Sequence, residues 1–302
     1  MRAVASISLG LVLLVAACEF KGAGELVADA ADAPLDGGAN LDDDVDGIPN
    51  GVDNCPTRFN LDQHDEDSDG LGDVCDNCPT VPNLDQANVG ETAAGAAADG
   101  VGDVCDPFPT RGGNQILFFD GFQTRNPLWR ATGGVWNISG DAAQQSAPTT
   151  LSEFYLAGDV VGDVVVDVTA QLLSPTTSVG TGIGSLAQWD VAPGYGVGYL
   201  CQLFDTPMAA LNVGNFLLQS ASAQTVGSRL NGSAQPEVTT SQVWTIRQVA
   251  LASMRSCAAT SSDGFTISTD PVPNAIVAAG RFGMRAAYAS MRFENIIVYT
   301  AQ

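Results

Sequence analysis

Asp42-Asp43-Asp44-Val45-Asp46-Gly47-Ile48-Pro49-Asn50-Gly51-Val52-Asp53 and Asp65-Glu66-Asp67-Ser68-Asp69-Gly70-Leu71-Gly72-Asp73-Val74-Cys75-Asp76 are one twelve-residue pattern written twice. Each copy sets carboxylates at positions 1, 3, 5 and 12 and glycine at position 6. That phasing decides how the first third of the chain folds. Side-chain oxygens two residues apart converge on one point when glycine lets the backbone turn sharply. Position 7 adds its main-chain carbonyl and position 12 closes the sphere. The spacing therefore predicts sites for a hard cation with flexible all-oxygen coordination, which favours Ca2+ over Zn2+ or Mg2+. The expected ligands are Asp42, Asp44, Asp46, the Ile48 carbonyl, Asn50 and Asp53 in the first loop. In the second they are Asp65, Asp67, Asp69, the Leu71 carbonyl, Asp73 and Asp76. Position 9, Asn50 or Asp73, usually acts through a water. At least two calcium ions are expected, one per loop.

An acidic run is commonly a solvated linker, but a linker does not need fixed offsets in two copies. Clustered carboxylates repel one another, so the segment should extend without a cation; the ion then becomes part of the fold. A third copy is degraded. Asp99-Gly100-Val101-Gly102-Asp103-Val104-Cys105-Asp106 keeps the spacing of Asp69 to Asp76. Counted back from Asp99, positions 1 and 3 fall on Gly95 and Ala97, which carry no side-chain oxygen. The preceding Glu91-Thr-Ala-Ala-Gly-Ala-Ala-Ala reads as an insertion. Weak or no calcium binding by Asp99, Asp103 and Asp106 is the expectation.

The chain has seven cysteines. Arg2 and an apolar run from Ile7 to Ala17 precede Cys18. The run is too short to span a membrane comfortably and reads as a cleaved signal over residues 1–17. Val15-Ala16-Ala17-Cys18 resembles a bacterial lipobox, which implies a lipid on Cys18 and attachment to a membrane. The expected place is the bacterial cell envelope, at the outer membrane or cell surface. Without Cys18 an even six cysteines remain, as in a disulfide-bonded exported protein. Asn54-Cys55-Pro56 and Asn77-Cys78-Pro79 are equivalent, as are Val74-Cys75-Asp76 and Val104-Cys105-Asp106. Cys55–Cys75 and Cys78–Cys105 would give each repeat one bridge. Cys75 and Cys78 have C-x-x-C spacing, but no βαβ pattern surrounds them, and a four-cysteine zinc site would need a second close pair.

These residues resemble the thrombospondin type 3 repeat, D-x-D-x-D-G-x-x-D-x-x-D-N-C-P, then N-x-x-Q, then D-x-D-x-D-G-x-G-D-x-C-D. Asp42 to Pro56 carries the first part with Asn50 in place of one Asp, Asn60 to Gln63 the second, and Asp65 to Asp76 the third. Asn77-Cys78-Pro79 and Asn83-Leu-Asp-Gln86 open the next, decayed unit. The resemblance covers about residues 41–107. It implies a wire-like, calcium-stiffened and disulfide-held spacer with little hydrophobic core, of the kind found beside adhesive or sugar-binding modules. Dockerin loops are the nearest competitor, but they run into helices, and Asn-Cys-Pro does not continue one.

The net charge of −22 sits unevenly. Residues 19–110 hold 22 acidic residues against Lys21 and Arg58, whereas residues 111–302 hold 12 acidic and 9 basic. No basic patch exists, so nucleic-acid binding is not expected. Four parts follow: the signal at 1–17, a flexible Ala/Gly/Asp-rich tether at 18–40, repeats at 41–110 and a globular domain at 111–302.

The globular part reads as all-β. Ile116 to Phe119, Val135 to Ile138, Val160 to Leu173, Gly194 to Phe204, Val243 to Leu251, Phe265 to Ser268 and Met291 to Tyr299 are β-branched and aromatic runs between Gly, Pro, Asn and Ser. Regular strand–turn spacing predicts a sandwich. Val164, Val166 and Val168 should face its core, with Asp163, Val165 and Asp167 on the solvated face. Cys201 and Cys257 lie in or beside strands, so a third bridge is expected. The order of Phe119-Asp120-Gly-Phe122 with Trp129, Gly134-Val-Trp136, Tyr195-Gly-Val-Gly-Tyr199, Trp244-Thr-Ile-Arg247, Gly280-Arg-Phe-Gly283 and Arg292 to Tyr299 resembles the concanavalin A-like, laminin-G-like jelly roll. That fold hosts lectins, glycosidases and plain interaction modules.

The single histidine, His64, lies among the acidic repeats, which leaves no His-based triad for the domain. The E-x-D-x-x-E strand of glycosidases on this fold is missing, and Glu153, Glu237 and Glu294 are scattered. Trp129, Trp136, Trp189 and Trp244 are expected in the core rather than stacked on sugars. The sequence thus points to a non-catalytic, calcium-binding, lipid-anchored surface protein whose jelly roll binds carbohydrate or another surface component. A glycosidase on the same fold and a purely structural module are the alternatives.

Overall fold

The computed structural model describes residues 41–148, 151–158, 163–175, 181–192, 195–206, 209–218, 223–230, 238–273 and 280–301. Cys18, the signal and the tether lie outside them, as do Glu237 and the side chain of Trp189. Strands β1 (Gln115–Asp120), β2 (Trp129–Thr132), β3 (Trp136–Ile138), β4 (Ala143–Gln145), β5 (Leu151–Leu156), β6 (Val164–Pro175), β7 (Thr181–Ala192) and β8 (Tyr195–Thr206) come first. They are followed by β9 (Ala209–Leu218), β10 (Ala223–Leu230), β11 (Val243–Ala250), β12 (Met254–Ser261), β13 (Thr266–Ser268), β14 (Val272–Pro273), β15 (Arg281–Ala287) and β16 (Ala289–Thr300). One short helix, α1 (Gly90–Ala93), lies among the repeats.

The strands form two antiparallel sheets, a jelly-roll-type sandwich. The larger has nine strands in the order β13-β12-β11-β6-β16-β4-β3, with β1 also on β16 and β14 on β12; the smaller has seven, β10-β9-β8-β7-β15-β5-β2. Alternation places the core. Val164, Val166, Val168, Ile246, Phe293 and Val298 from the larger sheet meet Phe154, Ile183, Leu203 and Met284 from the smaller. Trp129 and Trp244 are buried in the same cluster, and Trp136 stacks on Phe154. Cys201–Cys257 ties β8 to β12 across the sandwich. Closing a loop over 56 residues removes unfolded-state freedom worth about 4 kcal/mol in the chain-entropy account.

Part of the outer face of the larger sheet is not solvated. Val165 is fully buried and Asp167 is 5% exposed, because the repeats lie on them. Cys78, Val101 and Cys105 pack with Val165, Ile297 and Tyr299, and Phe108, Phe119 and Val249 flank the cluster. The repeats therefore borrow a hydrophobic core from the sandwich instead of standing off as a free wire. At burial energies near 25 cal/mol per Å2 of apolar surface, even a few such side chains fix the seat. Arg247 sits at this seam. Its Nε lies 2.9 Å and its Nη2 2.6 Å from the Asp167 carboxylate, and Nη2 also points at the Cys105 carbonyl at 3.5 Å. The Asp167 charge raises the Arg247 pKa against the opposing effect of burial.

Candidate metal centres

The two acidic loops fold alike. In the first, the Asp42 carboxylate accepts the N–H groups of Asp46 and Gly47, and Asp46 Oδ1 accepts that of Ile48. In the second, Asp65 accepts from Asp69 and Gly70, and Asp69 Oδ1 from Leu71. Gly47 and Gly70 take φ of +96° and +99°, the left-handed turn that glycine allows. A main-chain bond from position 9 closes each loop: Asn50 N–H to the Leu41 carbonyl at 2.7 Å and Asp73 N–H to the His64 carbonyl at 3.0 Å.

Position 12 hands each loop to the next unit. Asp53 Oδ1 accepts from the Cys55 N–H and the Gln63 amide; Asp76 Oδ1 does so from Cys78 and Gln86. The Asn-x-x-Gln segments are thus brackets for the position-12 carboxylate. Beside each bracket lies a bridge, Cys55–Cys75 and Cys78–Cys105. Gly72 is required there, since a Cβ would come within 2.7 Å of the Cys55 sulfur and 2.5 Å of Asn54 Oδ1.

Three of the expected calcium ligands in each loop come together. One oxygen from each of Asp42, Asp44 and Asp46, and likewise from Asp65, Asp67 and Asp69, lies within 4.8 Å of the others. Asp44 Oδ2, Asp53 Oδ2 and Asp67 Oδ2 are buried with no hydrogen-bond partner. Lone pairs held together and left without donors fit a cation. Burial, with Asp69 and Asp76 adding like charge, pushes the Asp67 pKa up to about 6. Burial also raises Asp44 and Asp76. Position 9 is engaged differently: Asn50 and Asp73 accept the N–H of Asp43 and Glu66, respectively. The second loop is also fastened to the sandwich. His64 Nδ1 contacts Asp73 Oδ2 at 2.6 Å, Gln123 Nε2 lies 2.9 Å from His64 Nε2, and Asn295 donates to Glu66 at 3.0 Å.

The third unit departs from simple counting. The Asp103 N–H bonds the Ala87 carbonyl at 2.9 Å, as Asp73 bonds His64. Ala87 therefore matches His64, and position 1 falls on Asn88, not Gly95. The extra residues, Glu91 to Ala98, lie between positions 3 and 5, and the first three of them belong to α1. Asp99 and Asp106 keep their roles. Asp99 accepts from Val101 and Asn114, and Asp106 Oδ1 accepts from Phe108 and the Asn114 amide. Asp103 accepts the N–H of Val89 and Gly90.

Residues 32–63 and 62–86 match the thrombospondin type 3 repeat family. These segments are thrombospondin type 3 repeats. The third loop, from Asn88 on, lies beyond the matched type 3 residues. No curated protein matches the chain. Among solved structures, carbohydrate binding module CBM66 from Bacillus subtilis is similar at 14% identity, over 56% of this chain and 93% of that one, with a TM-score of 0.44. The Ca2+-bound VIP36 exoplasmic/lumenal domain is similar at 8%, 63%, 90% and 0.47 in the same order. A GH43 protein, a BlXynB mutant from Bacillus licheniformis, gives 13%, 61%, 39% and 0.42. At these scores the likenesses carry no argument about ligand or reaction.

Proposed function

We propose that this chain is a non-catalytic calcium-binding surface protein in which ion-stapled type 3 repeats brace a jelly-roll recognition domain. The observation that carries the reading is the set of partnerless carboxylate oxygens of Asp44, Asp53 and Asp67, turned into loops already closed by main-chain bonds. Calcium would be held by Asp42, Asp44, Asp46, Asp53 and the Ile48 carbonyl, and by Asp65, Asp67, Asp69, Asp76 and the Leu71 carbonyl. It would supply the positive charge that lets these groups stay compact. Calorimetric titration of the full chain should show at least two ions bound. No heat of binding, and no spectroscopic change on adding EDTA, would sink the reading.

With the β6–β16 part of the larger sheet's outer face covered, recognition is assigned to the smaller sheet and the loops. The sequence's resemblance to the concanavalin A-like jelly roll, a fold that hosts lectins, makes carbohydrate the ligand to try first. Binding on a glycan array supports it; an empty array alongside intact calcium binding shifts the ligand to a surface protein or to a structural role. The glycosidase alternative asks for two free carboxylates across one cleft. Asp167 is held by Arg247, Asp163 accepts the Ala252 N–H, and Glu153 is hydrogen-bonded by Thr132. A lipid on Cys18 would fix the chain to a bacterial envelope membrane, and Cys18→Ser should move it to the soluble fraction.

A further inference from the structure

The insertion that spoils the third repeat in sequence carries its own carboxylate back into the loop. Glu91, in α1, is 0% exposed, and neither of its carboxylate oxygens has a hydrogen-bond partner. It turns toward Asp99 and Asp106, and one oxygen from each of the three lies within 4.8 Å of the others. Asp106 is 7% exposed, and its Oδ2 is likewise buried without a partner. Asn88, at position 1, gives its amide hydrogen to the Asp99 main-chain carbonyl at 2.8 Å, and Asn88 Oδ1 is buried without a partner.

The pattern repeats that of the intact loops. There the partnerless oxygens belong to positions 3 and 12. Here they belong to Glu91, the residue after Gly90 at position 3, and to Asp106 at position 12. No ion pair among the described residues involves Glu91, Asp99 or Asp106. Three carboxyl groups packed this closely, one of them fully buried, require either protons or a cation. A shared proton would join two of the groups but would leave Asn88 Oδ1 and the remaining oxygens empty.

We infer that Asn88, Glu91, Asp99 and Asp106 form a third calcium site, with the Val101 carbonyl at the place of Ile48 and Leu71. The oxygen-only donor set selects a hard divalent cation. The inference rests on the calcium reading of the first two loops only for the identity of the ion.

The test is equilibrium dialysis of Ca2+ against the full chain, compared with Glu91→Gln, Asp67→Asn and the double variant. Each single variant should bind one ion fewer than the unaltered chain, and the double variant two fewer. If Asp67→Asn loses an ion and Glu91→Gln does not, the third site is overturned while the first two stand. If neither loses one, the calcium reading itself fails. Thermal melts guard against a folding artefact. Glu91→Gln should lower the melting temperature in Ca2+ and leave it unchanged or raised in EDTA, where the substitution relieves an uncompensated buried charge. An equal fall in both media would mean a purely structural role for Glu91 and would also overturn the site.

Discussion

Asp67 shows how one carboxylate couples proton, cation and fold. Without a cation its pKa stands at about 6, chiefly from burial, against an ordinary value of 3.8. A carboxyl raised in the folded state binds protons more tightly there than when unfolded. It therefore favours the fold below the ordinary value, and that contribution is lost as pH rises through about 6. In EDTA, the repeats should become more stable as pH falls from 7 toward 5, and melts monitored by circular dichroism will show it. In Ca2+ the sign reverses, because protons compete with the ion for the same oxygens. Asp67→Asn should flatten the EDTA profile, and a profile unchanged by that substitution would show that another group titrates. Glu91 teaches a different lesson at this scale. Counting back from Asp99 hides it, since the insertion lies between positions 3 and 5. Counting forward finds the register: Asn60 to Gln63 sets Asp65 as position 1, and Asn83 to Gln86 sets Asn88 in the same way.

Among the elements, β6 is a strand that sequence describes on one face only. Its alternation correctly sends Val164, Val166 and Val168 into the sandwich. The opposite face, with Val165 between two aspartates, looks solvated, yet Val165 and Asp167 are buried. Periodicity says which residues share a face, but not what will lie against it. The loops, the two repeat bridges and the strand runs were legible because their determinants are local spacing or one-to-one cysteine equivalence, and Cys201 and Cys257 were the pair that remained, each in or beside a strand run. The seam was not, because it joins residues far apart in the chain. Beneath it, within the larger sheet, Arg247 pairs with its cross-strand neighbour Asp167. Arg247→Met should destabilise the domain by about 3 kcal/mol, the low end for stranding a buried charge, since the Arg247 side chain is 38% exposed. Chemical denaturation measures this, and Arg247→Met with Asp167→Asn should recover part of the loss. A single variant as stable as the unaltered chain would show that the pair contributes nothing net.

For the whole molecule, calcium removal should act at a distance from the ions. The repeats cover Val165, Ile297 and Tyr299, so loosening them bares an apolar stripe on the larger sheet. Chelation should raise the fluorescence of a hydrophobic dye such as ANS and speed amide exchange along β6 and β16, while the sandwich core stays protected. Dye binding that does not respond to EDTA would mean the seat holds without its ions. The route by which this seat is made is unusual for repeats of such local character. A cation loop closes over a dozen residues and can form as soon as it is synthesised. Its cover is β16, which pairs with β1, β4 and β6 and presents Ile297 and Tyr299 to Val101 from about 200 positions further along. The earliest-made repeats must therefore wait, folded but unseated, for one of the latest-made strands, and loss of that strand would leave both the sheet and its brace without a partner.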